Sequence, residues 1–180
     1  MSEELDVLKE VAGKLNNAGF PYMLSGSVAM NFYAQPRMTR DIDIVIALET
    51  QDIRKFIDLF KDDFYLDEET VRSEVHRLGM FNLIHNKFIL KIDFIIQKDD
   101  EFSATAFGRR RNVDIDGTKV SIISAEDLIL SKLNWAKESM SEMQLRDVGN
   151  IKGLVENLDG DYIEQWIERL GLQEIYKKVI

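Results

Sequence analysis

The most informative segment of the sequence is Thr39-Arg40-Asp41-Ile42-Asp43-Ile44-Val45-Ile46. Its isoleucine and valine content predicts a β-strand over residues 41–47. Alternate residues of a strand share a face, so Asp41 and Asp43 are expected to point one way and the isoleucines the other. A single Asp-x-Asp pair is more often part of a solvated sheet face than of a site, so further support is needed.

A second apolar stretch, residues 88–96, divides its faces in the same way. Lys91 and Asp93 interrupt one face, and the other is wholly apolar: Phe88, Leu90, Ile92, Phe94 and Ile96. Asp93 alone would also fit an edge strand. However, aspartate is depleted in strands and both stretches are typical of central ones, so they could lie side by side in one sheet.

Three converging carboxylates require a physical reason. They would repel one another by roughly 4 kcal/mol per pair at a separation of 4 Å and an effective dielectric constant near 20. A divalent cation would offset this repulsion, and ligands that are all oxygen favour Mg²⁺ or Mn²⁺. Such a site commonly uses phosphate oxygens to complete the coordination of the ion.

A candidate phosphate-binding turn lies upstream. Leu24-Ser25-Gly26-Ser27 stands between a predicted strand (residues 22–24) and a predicted helix (residues 28–33). Glycine lets a phosphate approach the backbone, and a helix N-terminus offers free N–H groups. Gly and Ser are ordinary loop residues, so the value of the turn comes from its position just upstream of the acid pair, with thirteen residues between Ser27 and Asp41.

The composition excludes several classes of protein. The 180 residues are 45% hydrophobic and 31% charged, which suits a compact folded domain. A net charge of -9 argues against coating nucleic acid or anionic membranes. The absence of cysteine and the presence of only two histidines argue against disulfides, thiolate chemistry and zinc enzymes. With no targeting leader and no apolar run of about 20 residues, a soluble cytoplasmic protein is expected.

The remaining patterns predict an α/β domain over residues 1–123 and a helical region over residues 124–180 packed on it. Helices are expected over residues 5–15, 51–60 and 68–78, a hairpin over 81–96, strands over 111–115 and 119–123, and helices over 124–139 and 141–157. Two short helices around Gly171 complete the chain. Trp135 and Trp166 lie on predicted helices and are expected to pack in the interior, without forming a platform for stacked bases.

These residues carry a resemblance to a known family. Gly26-Ser27, Asp41-Ile42-Asp43-Ile44 and the mid-strand Asp93 resemble the motif of the DNA polymerase β-like nucleotidyltransferase superfamily. The longer stretches, residues 26–30 and 36–43, more narrowly resemble the AbiEii/AbiGii toxin-like branch. Two helical motifs add to that likeness: Ser124-Ala125-Glu126-Asp127-Leu128-Ile129-Leu130-Ser131-Lys132-Leu133 and Gln144-Leu145-Arg146-Asp147-Val148. The resemblance spans about residues 20–155.

The resemblance implies a nucleotidyltransferase fold, with a mixed sheet flanked by helices, and a Mg²⁺- or Mn²⁺-dependent reaction. Asp41 and Asp43 would hold the ion against a nucleoside triphosphate. Asp93 would complete a second metal position and help to deprotonate the attacking hydroxyl. Gly26 and Ser27 would hold the terminal phosphates.

The resemblance also gives phosphate-binding or positioning roles to residues that, without it, would be expected to be ordinary surface residues. Arg37 and Arg40 flank the acid pair and could contact phosphate, although exposed loop arginines are common. Lys132 would contact phosphate and Asp147 would orient it. Without the family motif, both would be expected to be solvated helix residues.

Function is left with alternatives. The acceptor could be RNA, a protein side chain or a small molecule, and toxin-like members imply a small cognate antitoxin-type partner; no membrane partner is expected. The main alternative is a non-catalytic binding module with the same fold, serving as antitoxin, sensor or scaffold. A third is a structural α/β protein whose acids lie on a solvated face.

Overall fold

The computed structural model describes residues 3–36, 39 and 41–179. The strands are β1 (Tyr22–Ser25), β2 (Asp41–Ile46), β3 (Phe64–Tyr65), β4 (Met80–His85), β5 (Lys91–Ile96), β6 (Arg111–Ile115) and β7 (Thr118–Ile122). The helices are α1 (Glu3–Ala18), α2 (Gly26–Met30), α3 (Ile53–Phe60), α4 (Glu68–Arg77), α5 (Glu101–Gly108), α6 (Ala125–Ser139), α7 (Glu142–Leu154), α8 (Gly160–Arg169) and α9 (Gln173–Tyr176). A short 3₁₀ turn, Thr50–Asp52, precedes α3.

The strands form one seven-stranded mixed sheet in the order β3-β4-β5-β2-β1-β7-β6. β2 lies at its centre, parallel to β5 on one side and antiparallel to β1 on the other. β4 and β5 form the predicted antiparallel hairpin, and β6 and β7 form a second one. This arrangement confirms the predicted fold class, a mixed sheet flanked by helices.

The face of the sheet opposite the acids carries an aromatic core. Ile42, Ile44 and Ile46 on β2 are buried there. The rings of Phe56 and Phe60 on α3 lie 5.1 and 5.8 Å from the ring of Phe94 on β5. Burial of aliphatic and aromatic side chains on this face fixes which face of β2 and β5 must carry the acids.

The helices after β7 are held against the core through a buried carboxylate on α6. Asp127 accepts hydrogen bonds from Arg109 Nε at 3.1 Å and from the Tyr162 hydroxyl at 2.5 Å. The Ser124 side chain caps α6 by accepting a hydrogen bond from the Asp127 backbone N–H at 3.1 Å. These contacts join α6, α8 and the end of α5, and they place α6 over the acid-bearing face.

Three features differ from the sequence expectations. Helix α5 was not predicted; its cap is Asp100, whose side chain accepts a hydrogen bond from the backbone N–H of Ser103. The two-residue strand β3 was also not predicted. β5 begins at Lys91 rather than at residue 88, because Ile89 has a φ of +53° and ends the turn of the hairpin. Within the described residues, no helix combines the length and apolar character that crossing a membrane requires.

Candidate active site

The two central strands bring the predicted acids together. Asp43 on β2 lies directly opposite Asp93 on the parallel strand β5, and Asp41 lies opposite Lys91. Asp93 is buried, whereas the Asp41 side chain is more than half exposed. The alternation of acids along each strand therefore places the three carboxylates on one face, as expected.

A lysine lies among these carboxylates. Lys91 Nζ is 2.9 Å from Asp93 Oδ2 and 3.6 Å from Asp41 Oδ1. The hydrogen bond to Asp93 raises the pKa of the Lys91 ammonium, so the lysine stays charged. In the sequence alone, Lys91 is recognisable only as an interruption of the apolar pattern. Its position two residues before Asp93, on the same face, was the signal that could have identified it.

Asp93 also carries an unsatisfied atom. Its Oδ1 is buried and has no hydrogen-bond partner within the part of the chain that the structure describes. A buried acceptor without a partner is costly, so such atoms tend to have a functional reason. This oxygen can accept a proton or ligate a cation.

The environment of Asp43 changes the pKa of its carboxyl group. Burial, together with the neighbouring Asp93 and Asp41 carboxylates, raises its pKa from 3.8 to about 6. The positive charges of Lys132 and Lys91 oppose this shift. In the folded chain, the ionised form of Asp43 is therefore poorly stabilised. Additional positive charge close to this carboxylate would stabilise that form.

The turn before α2 approaches the acids closely. Ser25 pairs with Asp43 across β1 and β2, and Gly26 follows with a φ of +63°. A Cβ at position 26 would lie 1.9 Å from Asp43 Oδ2. Only glycine permits this approach and this backbone conformation. Ser27 follows in the first turn of α2.

Lys132 and Asp147 form a buried pair between α6 and α7. Lys132 Nζ donates a hydrogen bond of 2.7 Å to Asp147 Oδ2 and one of 3.1 Å to Gln144 Oε1. Both charged residues are buried. The bare-sequence expectation that both are solvated is therefore wrong. The positive charge of Lys132 also opposes the rise in the pKa of Asp43, and the hydrogen bond to Asp147 holds the lysine in place; the phosphate-binding roles of the two residues stay a prediction.

Two predicted phosphate contacts, Arg37 and Arg40, lie outside the described residues. Trp135 corrects another expectation: Trp166 is buried, but Trp135 is 61% exposed.

The donor set suits a hard divalent cation, because the site offers only oxygen ligands and includes the buried Asp93 Oδ1. Among residues 3–36, 39 and 41–179, no three His, Asp or Glu side chains already stand in a metal-binding arrangement. Lys91 stands between two of the carboxylates, so a cation bound by all three would require its ammonium group to move.

Sheet topology and helical cover define a nucleotidyltransferase class of fold, which solved structures share. An antigenic nucleotidyltransferase-like protein from Paracoccidioides brasiliensis is 18% identical, with a TM-score of 0.60 over 96% of this chain and 91% of that chain. A lincosamide antibiotic adenylyltransferase with lincomycin bound is 15% identical, with a TM-score of 0.56 over 86% of this chain and 98% of that chain. ANT(2″)-Ia in complex with adenylyl-2″-tobramycin is 13% identical, with a TM-score of 0.57 over 96% of this chain and 99% of that chain.

The model of the family described as "Nucleotidyl transferase of unknown function (DUF2204)" matches residues 4–178, and the chain belongs to this family. No curated protein sequence compared with the chain matches it significantly. The family confirms the predicted class of enzyme, a nucleotidyltransferase. The narrower resemblance to the AbiEii/AbiGii toxin-like branch stays a prediction.

Proposed function

We propose that this chain transfers a nucleoside monophosphate from a nucleoside triphosphate to an acceptor hydroxyl, with Mg²⁺ held by Asp41, Asp43 and Asp93. When bound, Mg²⁺ (or Mn²⁺) would neutralise triphosphate charge and stabilise the attacking and leaving oxygens. The observation that carries the proposal is the in-register pair Asp43–Asp93.

The surroundings of that pair support the proposal. Asp43 meets the Gly26 turn so closely that no side chain fits between them, and Asp93 presents a buried oxygen on the same face. A structural sheet face has no need for this combination, because the burial of like charges costs folding free energy. The solvated-face alternative is disfavoured by the same argument.

In the proposed reaction, the acceptor oxygen forms a bond to the α-phosphorus while the bond from that phosphorus to the pyrophosphate oxygen breaks. Pyrophosphate leaves with the electron pair. The acceptor proton passes to Asp93, whose buried Oδ1 has no hydrogen-bond partner among the described residues. Lys132, held by Asp147 at 2.7 Å, supplies fixed positive charge next to Asp43 and is proposed to contact phosphate.

The turn at Gly26 and Ser27 is proposed to hold the terminal phosphates, because its backbone can approach a ligand that a Cβ would exclude. Arg37 and Arg40 are proposed to add phosphate contacts beside the acid pair, on the grounds of their sequence positions alone.

The acceptor is proposed to be a hydroxyl of RNA, a protein side chain or a small molecule. Two structural neighbours carry small molecules: lincomycin in one and adenylyl-2″-tobramycin in the other. Their likeness of 13–15% identity supports including a small-molecule arm in any assay. A toxin–antitoxin role with a small cognate partner is proposed from the sequence motifs alone.

The test is label transfer from triphosphates carrying a radiolabel in either the α- or the γ-phosphate. Wild-type protein with Mg²⁺ and a cell extract is expected to attach only the α-label to an acceptor. Asp93→Asn should abolish transfer, whereas Asp62→Asn, which changes an exposed acid after α3, should not. Binding of triphosphate without transfer would support the non-catalytic module; transfer of the γ-label would contradict the proposal.

A further inference from the structure

A cleft of about 230 Å³ lies next to the carboxylates on the same face of the sheet. Its floor includes Val45 and Ile95, each two residues beyond an acid on its own strand. Residues i and i+2 of a strand share a face and lie about 7 Å apart. The floor therefore continues the acid-bearing surface along β2 and β5.

One wall of the cleft is a face of α6. Ser131, Asn134 and Trp135 line it at the spacing of neighbours on one side of a helix. Ser131 directly precedes Lys132, the lysine whose charge acts on Asp43. At the other end, Ser25 lines the cleft and directly precedes the Gly26 turn. The cleft thus begins where the proposed phosphate contacts end.

Trp135 is the unusual residue of this wall. Its side chain is 61% exposed, although a large aromatic residue next to a cleft would gain free energy from burial. Trp166, the only other tryptophan, is buried against Phe102 at a ring distance of 5.2 Å. An indole on the wall of a cleft provides a flat apolar surface suited to stacking against a planar ring.

The size and chemistry of the cleft fit one ring system. Pockets for complete drug-sized ligands span about 300–1,000 Å³, so this cleft suits part of a ligand. Asn134 offers both an amide donor and a carbonyl acceptor, and a heterocyclic base presents both on its edge. The apolar floor would contact the base, and the phosphate groups would lie over the carboxylates and the Gly26 turn.

We infer that this cleft binds the base of the nucleoside triphosphate, which stacks on Trp135 and is discriminated at its edge by Asn134. The inference rests on the proposed function, because it assigns the base end of the same substrate. An acceptor in the cleft is the competing occupant. The cleft adjoins the proposed phosphate site at two places, at Ser25 beside the Gly26 turn and at Ser131 beside Lys132. A base is joined covalently to those phosphates, so this continuity favours the base as the occupant.

The experiment compares nucleotides with inorganic tripolyphosphate, which has the phosphates without a base. Trp166→Phe leaves Trp135 as the sole tryptophan, so its emission reports the cleft. Triphosphates with a non-hydrolysable bond between the α- and β-phosphates, added with Mg²⁺, are expected to quench that emission. Tripolyphosphate is expected to bind without quenching it.

Affinity supplies the second measurement. Trp135→Leu is expected to weaken nucleotide binding about tenfold, the loss typical of one stacked base, and to leave the tripolyphosphate Kd within about twofold. Trp135→Phe, which keeps a ring, should recover most of the loss. Asn134→Leu should reduce the differences in Kd among the adenine, guanine, cytosine and uracil nucleotides.

Two outcomes would overturn the inference separately from the proposed function. If the Trp135→Leu variant bound nucleotide with wild-type affinity, the base would not lie in the cleft, and an acceptor would be the favoured occupant. Equal wild-type affinity for nucleotide and tripolyphosphate would show that no base subsite exists, while leaving triphosphate binding intact. Failure of both ligands to bind wild-type protein would overturn the proposed function and the inference with it.

Discussion

Replacement of Asp43 by asparagine should stabilise the protein without ligands and remove its response to nucleotide. The carboxylate is held partly buried beside Asp93 and Asp41, and its pKa is raised from 3.8 to about 6. An amide of nearly the same shape carries no charge. It therefore removes the repulsion, and it also removes a charged ligand for a cation.

The magnitude follows from the pKa shift. One pKa unit corresponds to about 1.4 kcal/mol, so a shift from 3.8 to about 6 lowers the free energy of unfolding by about 3 kcal/mol when Asp43 is ionised. Because Asp43 is only partly buried, this is an upper value. For a chain of this length, about 3 kcal/mol corresponds to a rise in Tm of roughly 6–12 °C in the asparagine variant.

The pH dependence has a defined sign. The folded pKa of Asp43 is above its unfolded value, so the folded protein holds the proton more tightly and loses stability as pH rises from about 4 to about 6. The stability difference between Asp43→Asn and wild type should be full above about pH 7, about half as large at pH 5, and absent below pH 4. Carboxylates that do not interact with Asp43 contribute equally to both proteins and cancel in the difference.

The assay is chemical denaturation at several pH values, with and without Mg²⁺ and a non-hydrolysable nucleotide. Ligand at a hundred times its Kd should raise the free energy of unfolding of the wild type by about 3 kcal/mol and leave Asp43→Asn unchanged. The exposed-acid variant Asp62→Asn should follow the wild type throughout. An asparagine variant that is less stable than wild type at pH 8, or that still responds to nucleotide, would refute the reasoning.

Three further substitutions probe the rest of the site. Gly26→Ala places a methyl carbon 1.9 Å from Asp43 Oδ2 and should lower both stability and nucleotide affinity in denaturation and titration experiments; wild-type affinity would contradict the close approach. Lys132→Met removes the ammonium group that donates to the buried Asp147 carboxylate and should cost about 3–5 kcal/mol of stability. Lys132→Met combined with Asp147→Leu should recover stability but not label transfer. Lys91→Gln should tighten Mn²⁺ binding about tenfold by calorimetry, since one nearby positive charge is removed, while the charge-conserving Lys91→Arg should stay within twofold of wild type.

The shared face of the three acids in the candidate site could be predicted from the sequence, because the alternation of side chains along a strand is a local property. Isoleucines at every second position had to face the core, so Asp41 and Asp43 had to share the other face. The same rule applied to Asp93. That β2 and β5 are parallel neighbours in register depends on pairing between distant segments, which alternation within one strand does not determine.

Other features depend on tertiary packing and were missed for that reason. A tryptophan on a helix is usually covered, but the exposure of Trp135 depends on which elements flank its side of α6. The role of Lys91 required the positions of two strands to be known together. Lys132 and Asp147 were identified only through the family motif, because their burial arises from the packing of α6 on α7. The sequence of α5 has no strong helical periodicity of apolar residues, so the helix was missed. Asp100, three residues before Ser103, was nevertheless a recognisable N-terminal capping residue.

The most direct test of the central claim is a crystal structure with Mn²⁺ and a triphosphate that cannot be cleaved at the α–β bond. We expect anomalous scattering from Mn²⁺ ligated by Asp41, Asp43 and Asp93, with the Lys91 ammonium displaced and the terminal phosphates on the Gly26 turn. Ordered triphosphate elsewhere on the chain, or ordered triphosphate here with no Mn²⁺ at the carboxylates, would contradict it.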